Sequence, residues 1–265
     1  TCSRPFFMRQ KRVLSQIFLR DESIVGKITD SLDIDNKTVV EIGPGDGALT
    51  CQIARRAKEL YCIEIDKQLS QKLEVKFLSN PNVSIITADI LSLSLERFSE
   101  NFILVGNLPY HISKDFIHYI VQNRKIINEG YFTFQKEFVE KLIAKPSTPY
   151  YCPLSCLIQY YAKVRKIFDI PATSFSPVPK VDSAFINISF YESPPDKALN
   201  EKLLFEIIEK AFFQKRKKIN NSLRIFIDDL NFFSSLGINP NLRPQDLSIK
   251  EYILLSNRLH SQSIS

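Results

Sequence analysis

A chain of 265 residues, 44% hydrophobic and 24% charged, has the profile of a globular protein of one large or two ordinary domains; that profile excludes a fibrous or low-complexity polypeptide. No apolar run approaches bilayer-spanning length, and Phe6-Phe7-Met8, set among Arg4, Arg9, Lys11 and Arg12, is too short for a signal-peptide core. A net charge of +6 favours a polyanionic partner, while five scattered cysteines (Cys2, Cys51, Cys62, Cys152, Cys156) argue against a disulfide framework and fit a reducing compartment, with the cytoplasm expected.

In chain order, the spacing of apolar residues predicts a helix over Ser23 to Leu32 with Asp21 as its N-cap, then a strand over Thr38 to Ile42. A Gly-rich turn leads into a helix from Ala48 to Ala57. Leu60 to Ile65 is a second strand, followed by a helix over Lys67 to Leu78. Asn82 to Ile86, Phe102 to Val105 and Gly130 to Phe134 are the third, fourth and fifth strands, with a helical period over Ile112 to Asn123. This alternation argues for a parallel sheet with helices on both faces. Ala162 to Ile170 and Ser183 to Phe190 read as two further strands. The Pro-rich stretch Pro171 to Pro179 between them is too short for a crossover helix, so an antiparallel pair at the sheet edge is expected. Composition shifts at Ser193-Pro194-Pro195, and Leu199 to Ala211, Lys217 to Ile227 and Asp246 to Leu259 read as helices. The division expected is a catalytic α/β domain over 1–192 and a small all-α domain over 193–265.

Candidate chemistry gathers where strands end. Gly43-Pro44-Gly45-Asp46-Gly47 follows the first strand and opens a helix, a turn that can cradle a dinucleotide or a nucleoside. Its G-x-G-x-G spacing departs from the dinucleotide pattern G-x-G-x-x-G. Glu64 ends the second strand about 20 positions on, where an acid can accept from ribose hydroxyls or stand as a solvated strand end. Asp89 follows the third strand and can hold an adenine amine or cap a turn. Asn107-Leu108-Pro109-Tyr110 closes the fourth strand. It combines an amide acceptor, a residue pushed extended by the following proline and an aromatic face, which suits a planar heterocycle bearing an NH₂ group.

The chain resembles the KsgA/Dim family of ribosomal RNA adenine dimethyltransferases. The resemblance rests on Ser15-Gln16-Ile17-Phe18-Leu19, Glu41-Ile42-Gly43-Pro44-Gly45, Glu64, Ala88-Asp89, Asn107-Leu108-Pro109-Tyr110, Phe175 to Ser183 and Ala211 to Lys217, and runs from about Lys11 to Leu259. It implies a class I S-adenosylmethionine (SAM)-dependent methyltransferase, with a Rossmann-like, mostly parallel seven-stranded sheet. SAM would be held by Gln16, Ile17, Leu19, Gly43, Gly45, Glu64, Ile65, Asp89, Ile90 and Asn107. Ile17 stands where the family usually has Asn, and Cys152 where it usually has Gly.

The reaction implied is methyl transfer to the N6 amine of two adjacent adenosines near the 3′ end of small-subunit rRNA, twice per base. Asn107 and the Leu108 carbonyl would accept from N6, Pro109 would hold the turn, Tyr110 would stack on the flipped base, and the resemblance adds Phe175 on its other face. Taken by itself, Phe175 reads as a core aromatic. Lys11 and Arg12, and Lys215, Arg216, Lys217 and Lys218, would neutralise phosphates of the 30S particle, against the plainer reading of solvated helix faces. Lys163, Arg165 and Lys166 form a third basic group. No metal, no membrane partner and a monomer are expected: the histidines are dispersed, and Cys152-x-x-x-Cys156 lacks a second ligand pair at zinc spacing. The rivals are an Erm-type methyltransferase of large-subunit rRNA, a non-catalytic assembly or transcription factor on the same fold and, last, an NAD-dependent oxidoreductase.

Overall fold

The computed structural model describes residues 17–98 and 101–264. Gln16, Lys11 and Arg12, three of the candidate site residues, lie outside the described residues.

The chain enters on a two-residue strand, β1 (Phe18–Leu19), and helix α1 (Glu22–Asp30). Asp21 caps α1 as expected, accepting from the backbone N–H of Ser23 at 3.0 Å and of Ile24 at 3.3 Å. There follow β2 (Thr38–Ile42), α2 (Ala48–Ile53), β3 (Glu59–Glu64), α3 (Lys67–Lys76), β4 (Val83–Thr87), β5 (Phe102–Asn107), α4 (Ser113–Gln122), β6 (Ile127–Gln135), α5 (Lys136–Leu142), α6 (Pro153–Tyr161) and β7 (Ala162–Ile170). The two-residue β8 (Phe175–Ser176) and β9 (Ser183–Phe190) complete the strands. Helices α7 (Glu201–Phe213), α8 (Ile219–Ser222), α9 (Leu230–Ser235) and α10 (Ile249–Ile264) end the described chain.

Seven strands form one sheet in the order β4-β3-β2-β5-β6-β9-β7. β4, β3, β2, β5 and β6 are mutually parallel, and β9 runs antiparallel to both β6 and β7. The expected antiparallel edge pair is therefore present. The side chains of the central strands alternate between two cores. Phe102 and Leu104 join Val40, Phe116 and Phe132 on one face, while Ile103 and Val105 join Val39, Ile28 and Leu60 on the other. Burial on both faces explains why β5 reads as an unbroken apolar run. The first core continues through Tyr160 and Tyr161 of α6 into Leu204, Ile207 and Ile208 of α7, so the terminal helices share the sheet's hydrophobic interior.

The chain builds β2, β3 and β4 outward in one direction, then returns to place β5 on the other side of β2. Adjacent strands leading to opposite sides open a crevice at their carboxyl ends, the position at which open α/β sheets bind ligands.

Several elements differ from the sequence reading. The helix expected over Lys217 to Ile227 shrinks to the single turn of α8. Asn220-Asn221-Ser222 competes with helical pairing, the Asn220 side-chain oxygen accepting from the Asn221 N–H at 2.7 Å. α5, α6 and α9 add helices the periodicity did not resolve. Pro153 in the first turn of α6 is a start signal available in the sequence. The Pro-rich stretch before β9 contains β8, which pairs antiparallel with β1 through Phe18↔Ser176 and Leu19↔Phe175.

Candidate active site

A cleft of about 660 Å³ opens at the carboxyl ends of β2, β3 and β5. Its floor is the turn between β2 and α2. Gly43 and Gly45 both hold positive φ, 64° and 61°. At Gly45 the glycine is doubly required: a Cβ there would lie 3.0 Å from the Phe18 ring, which leans over the turn from β1. Asp46 in the same turn pairs with Arg20 just beyond β1, tying the entering strand to the glycine turn.

Two acids expected at the site line the cleft. Glu64 is only 3% exposed. It accepts from the Gly45 N–H at 3.2 Å through one oxygen and from the Asp66 N–H at 3.0 Å through the other. Burial raises its affinity for a proton, and these two backbone donors oppose the rise. A carboxylate has about four lone-pair positions, so ribose hydroxyls can still donate to it. Asp89 caps the short 3₁₀ turn that begins at Ile90, accepting from the Leu91 N–H at 3.0 Å. The cap read from the sequence is present, and the capped residue also lines the cleft. Ile65, 49% exposed, and Ile90 add apolar lining beside the acids.

Asn107, Leu108, Pro109 and Tyr110 form the wall at the end of β5. Asn107 Nδ2 donates to the Ile17 carbonyl at 3.4 Å. The contact uses Ile17's backbone, so the departure from Asn at that position costs no side-chain partner here. Pro109 holds φ at −58°, and its missing N–H leaves the turn without a donor at that point. Tyr110 shares a 2.9 Å hydrogen bond with Ser183 at the start of β9, and burial raises its phenol's proton affinity. The ring is thus anchored at its hydroxyl and kept neutral.

Of the residues singled out in the sequence, Ile17, Leu19, Gly43, Gly45, Glu64, Ile65, Asp89, Ile90 and the Asn107–Tyr110 turn come together in this one cleft. Phe175 does not. It is 3% exposed in β8, opposite Leu19 of β1 and in the same core, as its plain sequence reading had it. Lys215, Arg216, Lys217 and Lys218 are exposed beyond the end of α7 and do not line the cleft. In the third basic group, Lys166 is engaged by Asp169 at 3.2 Å and Glu140 at 3.4 Å.

The sequence reading missed Glu41, which stands in β2 directly before the glycine turn. It is buried, lines the cleft, and accepts from the Cys62 thiol on β3 at 3.6 Å. Burial pushes its carboxyl up to about 7. A carboxylate inside an apolar strand is costly, and that cost was the signal available in Thr38-Val39-Val40-Glu41-Ile42. Asp46, His111 and Asp115 also line the cleft.

A mostly parallel seven-stranded sheet, a glycine turn after β2, acids after β3 and β4 and a polar turn after β5 define a class I methyltransferase fold. Two solved structures share it: a dimethyladenosine transferase from Plasmodium falciparum (TM-score 0.83, 22% identity, covering 93% of this chain and 98% of that one) and the 23S rRNA methyltransferase ErmE (TM-score 0.74, 24% identity, covering 92% and 99%). The chain belongs to the ribosomal RNA adenine dimethylase family, whose model matches residues 8–261. It is 35% identical over 247 residues to the ribosomal RNA small subunit methyltransferase A of Legionella pneumophila strain Philadelphia 1, covering 93% of this chain and 96% of the relative. The protein of the same description from Bacillus cytotoxicus is 35% identical over 265 residues, covering 94% and 91%.

Proposed function

We propose that this protein methylates the N6 amines of two adjacent adenosines near the 3′ end of small-subunit rRNA, using SAM, twice per base. The observation that carries the reading is the wall at the end of β5. With its NH₂ group held by the Ile17 carbonyl, Asn107 has its acceptor oxygen left for a substrate amine.

The cleft fits the cofactor. Gly43 and Gly45, both at positive φ, bring bare backbone to the cleft, and the buried Glu64 carboxylate lines it beside them. Gly43 and Gly45 would receive SAM closely, Glu64 its ribose hydroxyls and Asp89 its adenine amine, with Ile65 and Ile90 lining the base. Ile17 and Leu19 of the entering segment would close over it. When bound, SAM supplies an electrophilic methyl group. Asn107 Oδ1 and the Leu108 carbonyl would accept the N6 hydrogens, localising the nitrogen lone pair that is otherwise delocalised into the ring. These bonds strengthen as positive charge develops on N6, so they favour the transition state over the ground state. No general base is required, since the methylated cation sheds its proton to solvent. Tyr110 would stack on the extruded base.

Residues 193–265 would serve as the rRNA-binding unit, with Lys215, Arg216, Lys217 and Lys218 on phosphates, joined by Lys11 and Arg12. Among the described residues, no helix is long and apolar enough to cross a membrane.

The test is incubation with labelled SAM of small-subunit particles lacking the modification and, in parallel, of large-subunit rRNA, followed by base mapping. Dimethylation of adjacent adenosines is expected. Label on a large-subunit adenosine would transfer the reading to the Erm type, and absence of transfer would end the enzymatic reading.

A further inference from the structure

A second cavity, of about 380 Å³, lies away from the methyl-transfer cleft, between the end of α5, the loop before α6 and the end of α7. Its lining includes Lys141, Tyr150, Glu209, Phe212, Phe213 and Lys215. Phe213 is 86% exposed and Tyr150 is 45% exposed. Phe212 behind them is fixed against Tyr151, ring centroids 6.0 Å apart. Two exposed aromatic rings brought to one notch by separate chain segments are an unspent binding surface.

The charges around the notch select the occupant. Lys215, Arg216 and Lys217 are exposed, and none of them is within ion-pair range of a carboxylate among the described residues. Lys141 pairs with the exposed Glu137 at 2.8 Å. In the lining itself the cations are Lys141 and Lys215, with Arg216 and Lys217 next in the chain; an apolar peptide would have no use for them. A nucleotide uses every part: aromatic faces stack on a base whatever its identity, and lysines take the flanking phosphates. Glu209 is the informative member. A carboxylate repels phosphates but can accept hydrogens from a base edge.

We propose that this notch holds one unpaired base of the rRNA substrate, stacked on Tyr150 and Phe213, with Glu209 accepting from an amino or imino hydrogen and Lys141 and Lys215 on adjoining phosphates. The proposal rests on the reading of the chain as an rRNA methyltransferase. It assigns the protein a second base-holding point that fixes the RNA relative to the methyl-transfer cleft. Guanine, which presents N1–H and N2–H side by side to a carboxylate, fits best; adenine, cytosine and uracil each offer donor hydrogens on one nitrogen only.

The test uses the full chain and small-subunit particles lacking the modification. Tyr150→Ala and Phe213→Ala remove largely exposed rings, and a far-UV circular dichroism melt verifies that the fold persists. Each should weaken particle binding, and the pair together should do so by about 5- to 150-fold, the range for loss of one stacked base. The salt dependence of binding and the SAM dissociation constant should hold. Glu209→Ala should also weaken binding, whereas removal of a like charge alone would strengthen it. Ultraviolet cross-linking should attach RNA to the peptide bearing Tyr150 or Phe213. Unchanged affinity in the double aromatic variant overturns the proposal and leaves the methyltransferase reading standing. Unchanged or tighter binding by Glu209→Ala overturns the base-edge assignment. If the unaltered protein neither binds nor methylates the particles, the functional reading fails first, and this one with it.

Discussion

The Asn107 side-chain amide donates to the Ile17 carbonyl at 3.4 Å, across 90 positions of sequence. This bond joins the wall at the end of β5 to the strand that covers the glycine turn, and it decides which end of the Asn107 amide is free. Replacing Asn107 with Ala should reduce methyl transfer by at least about 10²- to 10³-fold, the usual cost of losing one preorganised polar contact to a developing charge. The fold and RNA affinity should survive. Near-normal turnover with labelled SAM would remove Asn107 from the chemistry.

Glu64 is fixed by the Gly45 and Asp66 N–H groups before any ligand arrives. Glu64→Ala should weaken SAM binding by about 10- to 100-fold, in keeping with hydrogen bonds to a charged group. Calorimetry reads this directly, and an unchanged dissociation constant would take Glu64 out of the site.

Gly45→Ala places a side chain at φ 61° and drives its Cβ to 3.0 Å from the Phe18 ring. The backbone term alone costs about 1–2 kcal/mol. A lowered Tm together with weakened SAM binding is expected, because Phe18 must yield. A variant as stable as the parent would contradict the close approach.

Glu41 gives the pH dependence. Its carboxyl is pushed by burial from 4.5 up to about 7. Between those values the folded protein keeps a proton that the unfolded chain has released. Its contribution is therefore fully present below about pH 4.5 and is lost as pH rises through about 7, with a ceiling of about 3 kcal/mol. Glu41→Gln mimics the protonated form. It should flatten this part of the stability profile and raise Tm near pH 8. A profile identical to the parent's between pH 5 and 8 would place the proton elsewhere.

The exposed cations after α7 should show themselves through salt. Replacing Lys215 or Lys217 with Ala should lower the magnitude of the log–log salt slope of RNA binding by about 0.7 to 0.9 each. A slope that ignores both substitutions would deny them phosphate contacts.

Much of this architecture was legible in the residues in chain order. The strands from β2 to β6 announce themselves as short apolar runs, with helical periods after β2, β3 and β5, and the pairing of β9 with β7 followed from too short a loop. Glu64, Asp89 and the Asn107–Tyr110 turn were found because each sits at the end of such a run. Phe175 was harder. By itself it read as a core aromatic, while the resemblance placed it against the substrate; in the two-residue pairing of β1 with β8 it lies in the core. No periodicity extends over two residues.

By itself, the order of amino acids determined the alternation of strands and helices, the glycine turn and the positions of the acids, because hydrophobic spacing and backbone freedom act over a few neighbouring residues. The tertiary structure alone decided that Ile17 meets Asn107 through its carbonyl, that Glu41 is sealed beside Cys62, and that Tyr150 shares a notch with Phe213. Those outcomes depend on which surfaces are buried against one another when distant segments pack, and packing answers to volume and burial across the whole chain rather than to local pattern.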